Sequence, residues 1–222
     1  MKNLNTGEVF TIPEDAQLPR DSSGNPAPPY EEFEVAYHVY PAISGSWLAW
    51  SCDEVTGYVS QYDSYMTFYQ VDALNLDSPE EYPIQVTHQT ADAVVPAVDG
   101  GRIVWEDYRN DPDHLAFYSQ SWEPENPDIY IWDPDTEQTY PLCTAPDWQM
   151  YPRISGDLVV WEDWRNGQGD IYLYDLSVDS DGDGVPNWKD DDRPYPDPAE
   201  TRLTATPWYE ITPDISGRTV VY

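Results

Sequence analysis

Short apolar runs alternate with polar turns along most of the chain. Two of the clearest are DIYIWD at 128–133 and DIYLYD at 170–175, in which aliphatic and aromatic residues alternate as they do in β-strands. Shorter runs such as RIVW at 102–105 lead into polar loops. Helical periodicity is not found between these runs. The pattern therefore predicts an all-β protein built from many short strands.

A five-residue segment recurs four times along the chain. It reads PAISG at 41–45, PAVDG at 96–100, PRISG at 152–156 and PDISG at 213–217. Nine residues after each proline comes an aromatic residue: Trp50, Trp105, Trp161 and Tyr222. The segments begin 55, 56 and 61 residues apart. A repeat of this length, with several strand-like runs in each unit, is typical of the blades of a β-propeller.

Each repeat is predicted to form one four-stranded blade, in which the glycine supplies positive φ in a tight turn and the second strand ends at the aromatic residue. The predicted blades span residues 41–95, 96–151 and 152–212, and a partial blade combines 1–13 with 213–222. Two arrangements stay open at this point. The two terminal pieces close a four-bladed ring, or the chain is a fragment of a larger propeller.

Residues 154–176 carry a longer motif that reads ISG, VVWEDWRNG and DIYLYDL in order. The motif recurs more loosely in 98–133 and faintly in 43–76. It resembles the TolB-like propeller repeats of bacterial and archaeal envelope and secreted proteins. The resemblance implies a propeller fold and a role in binding or scaffolding rather than catalysis, and it does not specify a ligand.

The segment DSDGDGVPNWKD at 179–190 has the spacing of an EF-hand calcium loop, with Gly184 at the position of the sharp turn. It also resembles the calcium repeats of thrombospondin type 3 and dockerin-like proteins. The predicted Ca²⁺ ligands are Asp179, Asp181, Asp183, the carbonyl of Val185, Asn187 and Asp190, with Asp191 and Asp192 beside them. Aspartate replaces the usual glutamate at the last position and has a shorter arm. We expect a calcium-binding insertion at 177–199, and the alternative is an acidic turn that binds no metal.

Charge narrows the classes of partner. The chain has 42 acidic and 10 basic residues, a formal net charge of -32. Such a surface repels nucleic acids and anionic membranes, and it suits divalent cations. No apolar stretch is long enough to insert into a membrane. Because free calcium is plentiful outside cells, the loop favours a secreted, extracellular or cell-surface location.

Several chemically suggestive residues recur between repeats, and recurrence favours a structural role over an active site. Asp107 with Arg109, and Asp163 with Arg165, are predicted to be ion pairs that hold loops. Asp128 and Asp170, each just before a third strand, are expected in the same networks, and the three repeated tryptophans are expected to pack between sheets. Two cysteines, Cys52 and Cys143, either pair or remain free thiols.

Aromatic residues outside the repeat are better candidates for contacts with a protein or a carbohydrate, because recognition residues usually lie in long loops. They are Tyr58, Tyr62, Tyr65, Tyr118 and Trp122. Self-assembly through open blade edges is a further option. No catalytic residue is predicted.

The leading hypothesis is an extracellular calcium-binding propeller that acts as a non-catalytic interaction, adhesion or assembly module. The alternatives are a propeller glycosidase or polysaccharide lyase, and the propeller domain of a larger surface enzyme. A glycosidase or lyase requires non-repeating carboxylates such as Asp53, Glu54 and Asp113 to face one pocket.

Overall fold

Four successive antiparallel sheets form the protein in a computed structural model that describes residues 38–59, 64–78, 83–111 and 126–222. Three sheets have four strands each, in the order of the sequence, and the last described sheet has two. The first strands of neighbouring sheets lie side by side, β1 (His38–Ser44) against β5 (Ala93–Asp99) and β5 against β9 (Gln149–Ser155). Sheets that stack face to face with their first strands adjacent are the blades of a β-propeller. The fold class predicted from the repeat is confirmed.

The strands are short outside blade 1. Blade 1 contains β1, β2 (Trp47–Val59), β3 (Ser64–Asn75) and β4 (Ile84–Gln85). Blade 2 contains β5, β6 (Arg102–Asp107), β7 (Asp128–Asp133) and β8 (Gln138–Cys143). Blade 3 contains β9, β10 (Leu158–Asp163), β11 (Asp170–Asp175) and β12 (Glu200–Arg202), and a partial blade contains β13 (Asp214–Ser216) and β14 (Thr219–Val221). The predicted complement of the partial blade, residues 1–13, lies outside the described residues.

The turn glycines of the repeat have the predicted left-handed backbone, with φ of 57° at Gly45, 58° at Gly100, 56° at Gly156 and 57° at Gly217. Residues with a Cβ rarely adopt this conformation, so glycine makes the tight hairpin between the first and second strands accessible. The second strands differ from the prediction at their other end. β6 and β10 continue two residues beyond the tryptophan, so that the acidic pair predicted to open a loop is part of the strand.

Two of the three repeated tryptophans pack between blades. Trp105 lies in a buried cluster with Ala49 and Val71 of blade 1, and Trp161 lies in one with Val104 and Ile131 of blade 2. Trp105 and Trp161 are completely buried. The predicted packing between sheets is therefore confirmed for Trp105 and Trp161, whereas Trp50 is buried in a cluster that contains residues of blade 1 alone.

The residue before the repeat's proline is left-handed in all four first strands, although none of the four is glycine. They are Tyr40, Val95, Tyr151 and Thr212, with φ between 51° and 54°. The pairing of the first and second strands shifts at this point in all three complete blades. A left-handed backbone at a non-glycine residue costs on the order of 1–3 kcal/mol, so contacts around it must hold it in place.

A glutamate from the preceding blade makes one such contact. Glu106 accepts the backbone N–H of Tyr151 at 2.8 Å, and Glu162 accepts that of Thr212 at 2.9 Å. Burial raises the pKa of Glu106 to about 7, and the N–H of Tyr151 opposes that shift. The repeated glutamates thus connect adjacent blades at their bulges.

Candidate metal centre

The insertion of blade 3 leaves β11 and returns at β12, and its acidic turn is shaped by hydrogen bonds from backbone to carboxylate. Asp179 accepts the N–H groups of Gly182 at 2.7 Å and Gly184 at 2.9 Å. Asp181 accepts the N–H of Asp183 at 3.0 Å, and Asp183 accepts that of Val185 at 2.7 Å. Gly182 and Gly184 have φ of 79° and 96°, which lets the chain curl around the carboxylates.

Two groups of carboxylates converge in this turn. Oxygen atoms of Asp179, Asp181 and Asp183 lie within 4.8 Å of one another, and so do those of Asp181, Asp190 and Asp192. Asp181 belongs to both groups. A hard cation such as Ca²⁺ takes oxygen ligands of this kind at about 2.3–2.6 Å, so each group has the chemistry and compactness of a cation site.

The electrostatics of the turn differ between its two ends. The N–H groups of Gly182 and Gly184 lower the pKa of Asp179. The pKa of Asp192 is raised, first by its hydrogen bond with Asp190 and then by the charge of Asp190, with smaller contributions that include Asp181 and Asp183. Repulsion between carboxylates therefore acts on Asp192, chiefly from Asp190.

Asn187 is placed differently from its predicted role as a metal ligand. Its side chain is buried, with the residue 1% exposed. The amide oxygen accepts the N–H of Ser180 at 2.9 Å, and the amide nitrogen donates to Asp197 at 2.7 Å. The amide holds the base of the insertion closed, and we do not carry it into the proposed ligand set.

The back of the insertion is attached to blade 2. Trp188, in a short 3₁₀ helix (Asn187–Lys189), is 5% exposed and packs edge-on against Tyr140 with ring centroids 5.4 Å apart. Lys189 pairs with the buried Asp133 at 2.5 Å, and Arg193 donates to the carbonyl of Pro141 at 3.2 Å. The insertion therefore places a tryptophan at the junction of two blades.

The recurring acid–arginine pairs are structural, as predicted. Asp163 accepts hydrogen bonds from Nε and Nη2 of Arg165 at 2.8 and 2.6 Å and from Nε1 of Trp161 at 2.9 Å. Asp107 is bound in the same way by Arg109 and Trp105. Each guanidinium also lies over a tyrosine ring, at 4.1 Å in blade 2 and 4.3 Å in blade 3. Such pairs fix loops and leave no acid available for catalysis at these positions.

Blade 1 replaces this network with neutral groups. Cys52 occupies the place of Asp107 and Asp163, and Gln70 lies opposite it across the sheet. Cys52 donates to Asp72 at 3.2 Å. Both Cys52 and Cys143 are buried free thiols, so the option of a disulfide is not realised. Burial raises the pKa of the Cys143 thiol.

The predicted aromatic contact residues are only partly described. The backbones of Tyr58 and Tyr65 pair in register between β2 and β3, so a long hairpin occupies the positions where a loop was expected. Tyr62, Tyr118 and Trp122 lie outside the described residues, as do Asp113 and the side chain of Glu54. The carboxylate pocket required by a glycosidase or lyase therefore stays a prediction.

One aromatic row was missed from the sequence. Trp148, Trp164 and Tyr209 stack with successive centroid distances of 5.6 and 5.5 Å. Trp164 follows the acidic pair of β10, and the other two rings lie in connections between blades. For Trp148 and Tyr209, the sequence signal that could have predicted the contact is their position in the connections before and after blade 3.

Comparisons with known proteins find partial similarity to several solved structures. No protein-family model and no curated protein matches the sequence. Solved structures similar to the chain include TolB from Acinetobacter baumannii (13% identity, TM-score 0.42, 63% of this chain and 30% of that one). The β-propeller domain of the Trilobed protease from Pyrococcus furiosus is similar at 13% identity (TM-score 0.44, 63% and 39%), as is a nidogen/laminin complex at 13% (0.40, 64% and 45%). The chain spans less than half the length of each of these structures.

Among the described residues, no helical segment has the length and apolar character needed to cross a bilayer.

Proposed function

We propose that the chain is a calcium-binding propeller module that acts outside the cell as a non-catalytic interaction, adhesion or assembly unit. The observation that carries the proposal is the convergence of five carboxylates into two oxygen groups that share Asp181. The spacing of Asp179, Asp181, Asp183 and Asp190 is that of an EF-hand-like loop, and backbone N–H groups bonded to Asp179 support a curled turn.

Calcium fits this ligand set better than other common metals. All of the converging side chains supply hard oxygen atoms, without histidine or cysteine, which disfavours zinc and copper. The turn is exposed and irregular, and Ca²⁺ tolerates flexible coordination where Mg²⁺ demands near-ideal octahedral geometry. Calcium is also abundant outside cells, which supports the proposed location.

The ion's role is to join the acidic turn to the blade junction. Without a cation, carboxylates of the two groups repel one another across Asp181. Binding removes that repulsion and orders the segment that leads directly into Trp188 and Lys189. The insertion then acts as a clamp from blade 3 onto blade 2.

The interaction role rests on the acidic surface and on the absence of a catalytic arrangement among the described recurring acids, which are engaged in ion pairs. Tyr58, Tyr62, Tyr118 and Trp122 are the proposed contacts for a protein or a carbohydrate. Tyrosine and tryptophan rings supply both apolar area and polar groups to such partners.

Substitution of Asp181 tests the calcium site, because it removes the carboxylate that both groups share. Wild type should unfold at a higher temperature in Ca²⁺, by the equivalent of about 2.7 kcal/mol when free calcium is 100 times the Kd. Asp181→Asn should lose the part of that increase that the acidic turn contributes. Asp191→Asn is the matched control, since Asp191 is exposed, adjacent and outside both groups. Equal calcium responses in the two variants would rule out the proposed site.

A further inference from the structure

Two buried aspartates at equivalent positions in blades 2 and 3 each have one carboxylate oxygen without a hydrogen bond in the described part of the chain. Asp128 and Asp170 each begin a third strand, opposite Asp107 and Asp163. Oδ2 of Asp128 accepts from Asn110 at 2.8 Å, and Oδ2 of Asp170 is bound by Arg202 at 2.8 Å. In both residues Oδ1 is buried and has no hydrogen-bond partner in the described part of the chain. An unpaired buried carboxylate oxygen is costly, so each position calls for an explanation.

A second unpaired acceptor comes from the following blade at the same junctions. The N–H of Gln149 donates to the carbonyl of Pro127, directly before Asp128, at 3.0 Å, and the N–H of Glu210 donates to that of Gly169, directly before Asp170, at 3.0 Å. One side-chain oxygen of each, Oε1 of Gln149 and Oε2 of Glu210, is buried without a partner among the described residues. The amide of Gln149 cannot be turned round, because its Nε2 donates to the carbonyls of Pro146 and Asp147.

Blade 1 shows that the two acceptors belong together. The position of Asp128 and Asp170 is occupied there by Gln70, whose amide makes four hydrogen bonds. The position of Gln149 and Glu210, three residues before the repeat's proline, is occupied by Ala93. Both unpaired acceptors are lost together at this junction. Such paired replacement within one chain is expected of groups that share a bound species.

The two junctions that keep the unpaired acceptors differ in the basic side chains near the aspartate. At the junction after blade 3, the guanidinium of Arg202 bonds Asp170 and is close enough to Glu210 for their charges to interact. At the junction after blade 2, Arg109 is engaged with Asp107, and the described residues place no further lysine or arginine on Asp128. Residues 112–125 contain neither lysine nor arginine.

Two further side chains supply oxygen atoms near Asp128: Asp111, whose charge acts on Asp128, and Asn126, two residues before it. Asp111 is buried, and its Oδ2 accepts the N–H of Asn126 at 3.1 Å. Oδ1 of Asn126 is a third buried acceptor without a partner in the described residues. A water molecule has two hydrogens and satisfies two such acceptors, whereas a cation accommodates all three and offsets the charges of Asp111 and Asp128.

We infer that the junction between blades 2 and 3 holds a hard metal cation, of the calcium class, coordinated by Asp128, Gln149 and Asn126 with Asp111 nearby. This site is separate from the acidic turn of blade 3 and does not depend on it. Its oxygen-only ligands and buried position favour a dehydrated ion over a hydrated one.

The test uses the full chain with the turn disabled by Asp179→Asn, Asp181→Asn and Asp190→Asn together. Calorimetry with CaCl₂ at constant ionic strength should still detect one bound Ca²⁺. Adding Asp128→Asn should abolish that binding, whereas Asp170→Asn in blade 3, the matched control, should leave it unchanged. Asparagine at 128 can still accept from Asn110, so the variant is expected to fold.

A second variant keeps the test decisive if Asp128→Asn fails to fold. Gln149→Glu places a carboxylate where the junction after blade 3 has Glu210, and it should increase Ca²⁺ affinity at least tenfold in the disabled background. An unchanged affinity, or no Ca²⁺ bound to the disabled chain, would overturn the inference. A different result would assign the unpaired oxygens to a shared proton instead. In that case the unfolding temperature would not depend on calcium, and Asp128→Asn would raise it at pH 8.

Discussion

Replacing Asp163 with alanine should lower the free energy of unfolding by about 3–5 kcal/mol, the range expected when one partner of a buried ion pair is removed. Asp163 is fully buried and binds Arg165 through two guanidinium nitrogens and Trp161 through its indole N–H. The change removes the buried partner of Arg165, whose guanidinium keeps its partly exposed pair with Glu200 at 2.7 Å, and it leaves the indole N–H of Trp161 unpaired in the interior. Urea denaturation followed by tryptophan fluorescence measures the loss.

An exposed ion pair provides the control for this prediction. Asp157 pairs with Arg102 at 2.9 Å, and its side chain is 58% exposed. Alanine at 157 should cost less than about 1 kcal/mol, because water screens such a pair. Similar losses for Asp157→Ala and Asp163→Ala would mean that the repeated acid–arginine pair does not hold the blade.

Trp188→Ala should also destabilise the protein by about 3–5 kcal/mol, the range for removing a large buried aromatic side chain. The ring fills the junction between blades 2 and 3 against Tyr140, and its indole N–H donates to the carbonyl of Leu176 at 3.1 Å. Removal leaves a cavity between two sheets and an unpaired buried carbonyl. The shift in the urea midpoint, with the slope unchanged, reports the loss.

Trp208→Ala is the matched control for Trp188, since Trp208 is 75% exposed and should contribute less than about 0.5 kcal/mol. If the two tryptophan variants are equally stable, the insertion is a surface appendage and not a clamp on blade 2.

The sequence predicted the fold because the repeat combines three independent constraints. The glycine at position five fixes a hairpin turn, the apolar run fixes a buried second strand, and the aromatic residue fills the space between sheets. Each has a local physical cause, so the pattern is visible in one sequence. The ion pairs at Asp107 and Asp163 were predictable for the same reason, since their partners lie two residues away.

The sequence did not predict contacts between segments that are far apart along the chain. The EF-hand spacing made Asn187 a metal ligand, but its bond to Asp197 turns the amide into the buried base of the insertion. Trp188 is surrounded by charged residues in the sequence, and only the proximity of Tyr140 explains its burial. The residues around Tyr58 lack clear alternation of apolar and polar positions, so the sequence predicts a loop where β2 and β3 form a long hairpin.

The unpaired acceptors beside Asp128 could be predicted from the sequence only in part. Aligning the repeats shows that Asp128, Asp170 and Gln70 are equivalent, and that Gln149, Glu210 and Ala93 are equivalent. The two positions are separated by roughly twenty to forty residues, however, and only the bonds to Pro127 and Gly169 show that they meet. Repeat comparison could have identified the paired replacement but not the contact.

Amide hydrogen exchange across the insertion, with and without calcium, tests the central claim most directly. The account predicts that Ca²⁺ slows exchange at 179–185 and 190–192, while β10 and β11 exchange at the same rate in chelator. Asn187–Lys189 should remain protected in both conditions, because Trp188 is held by the blades. Identical exchange of the acidic turn in saturating calcium and in chelator would contradict the account.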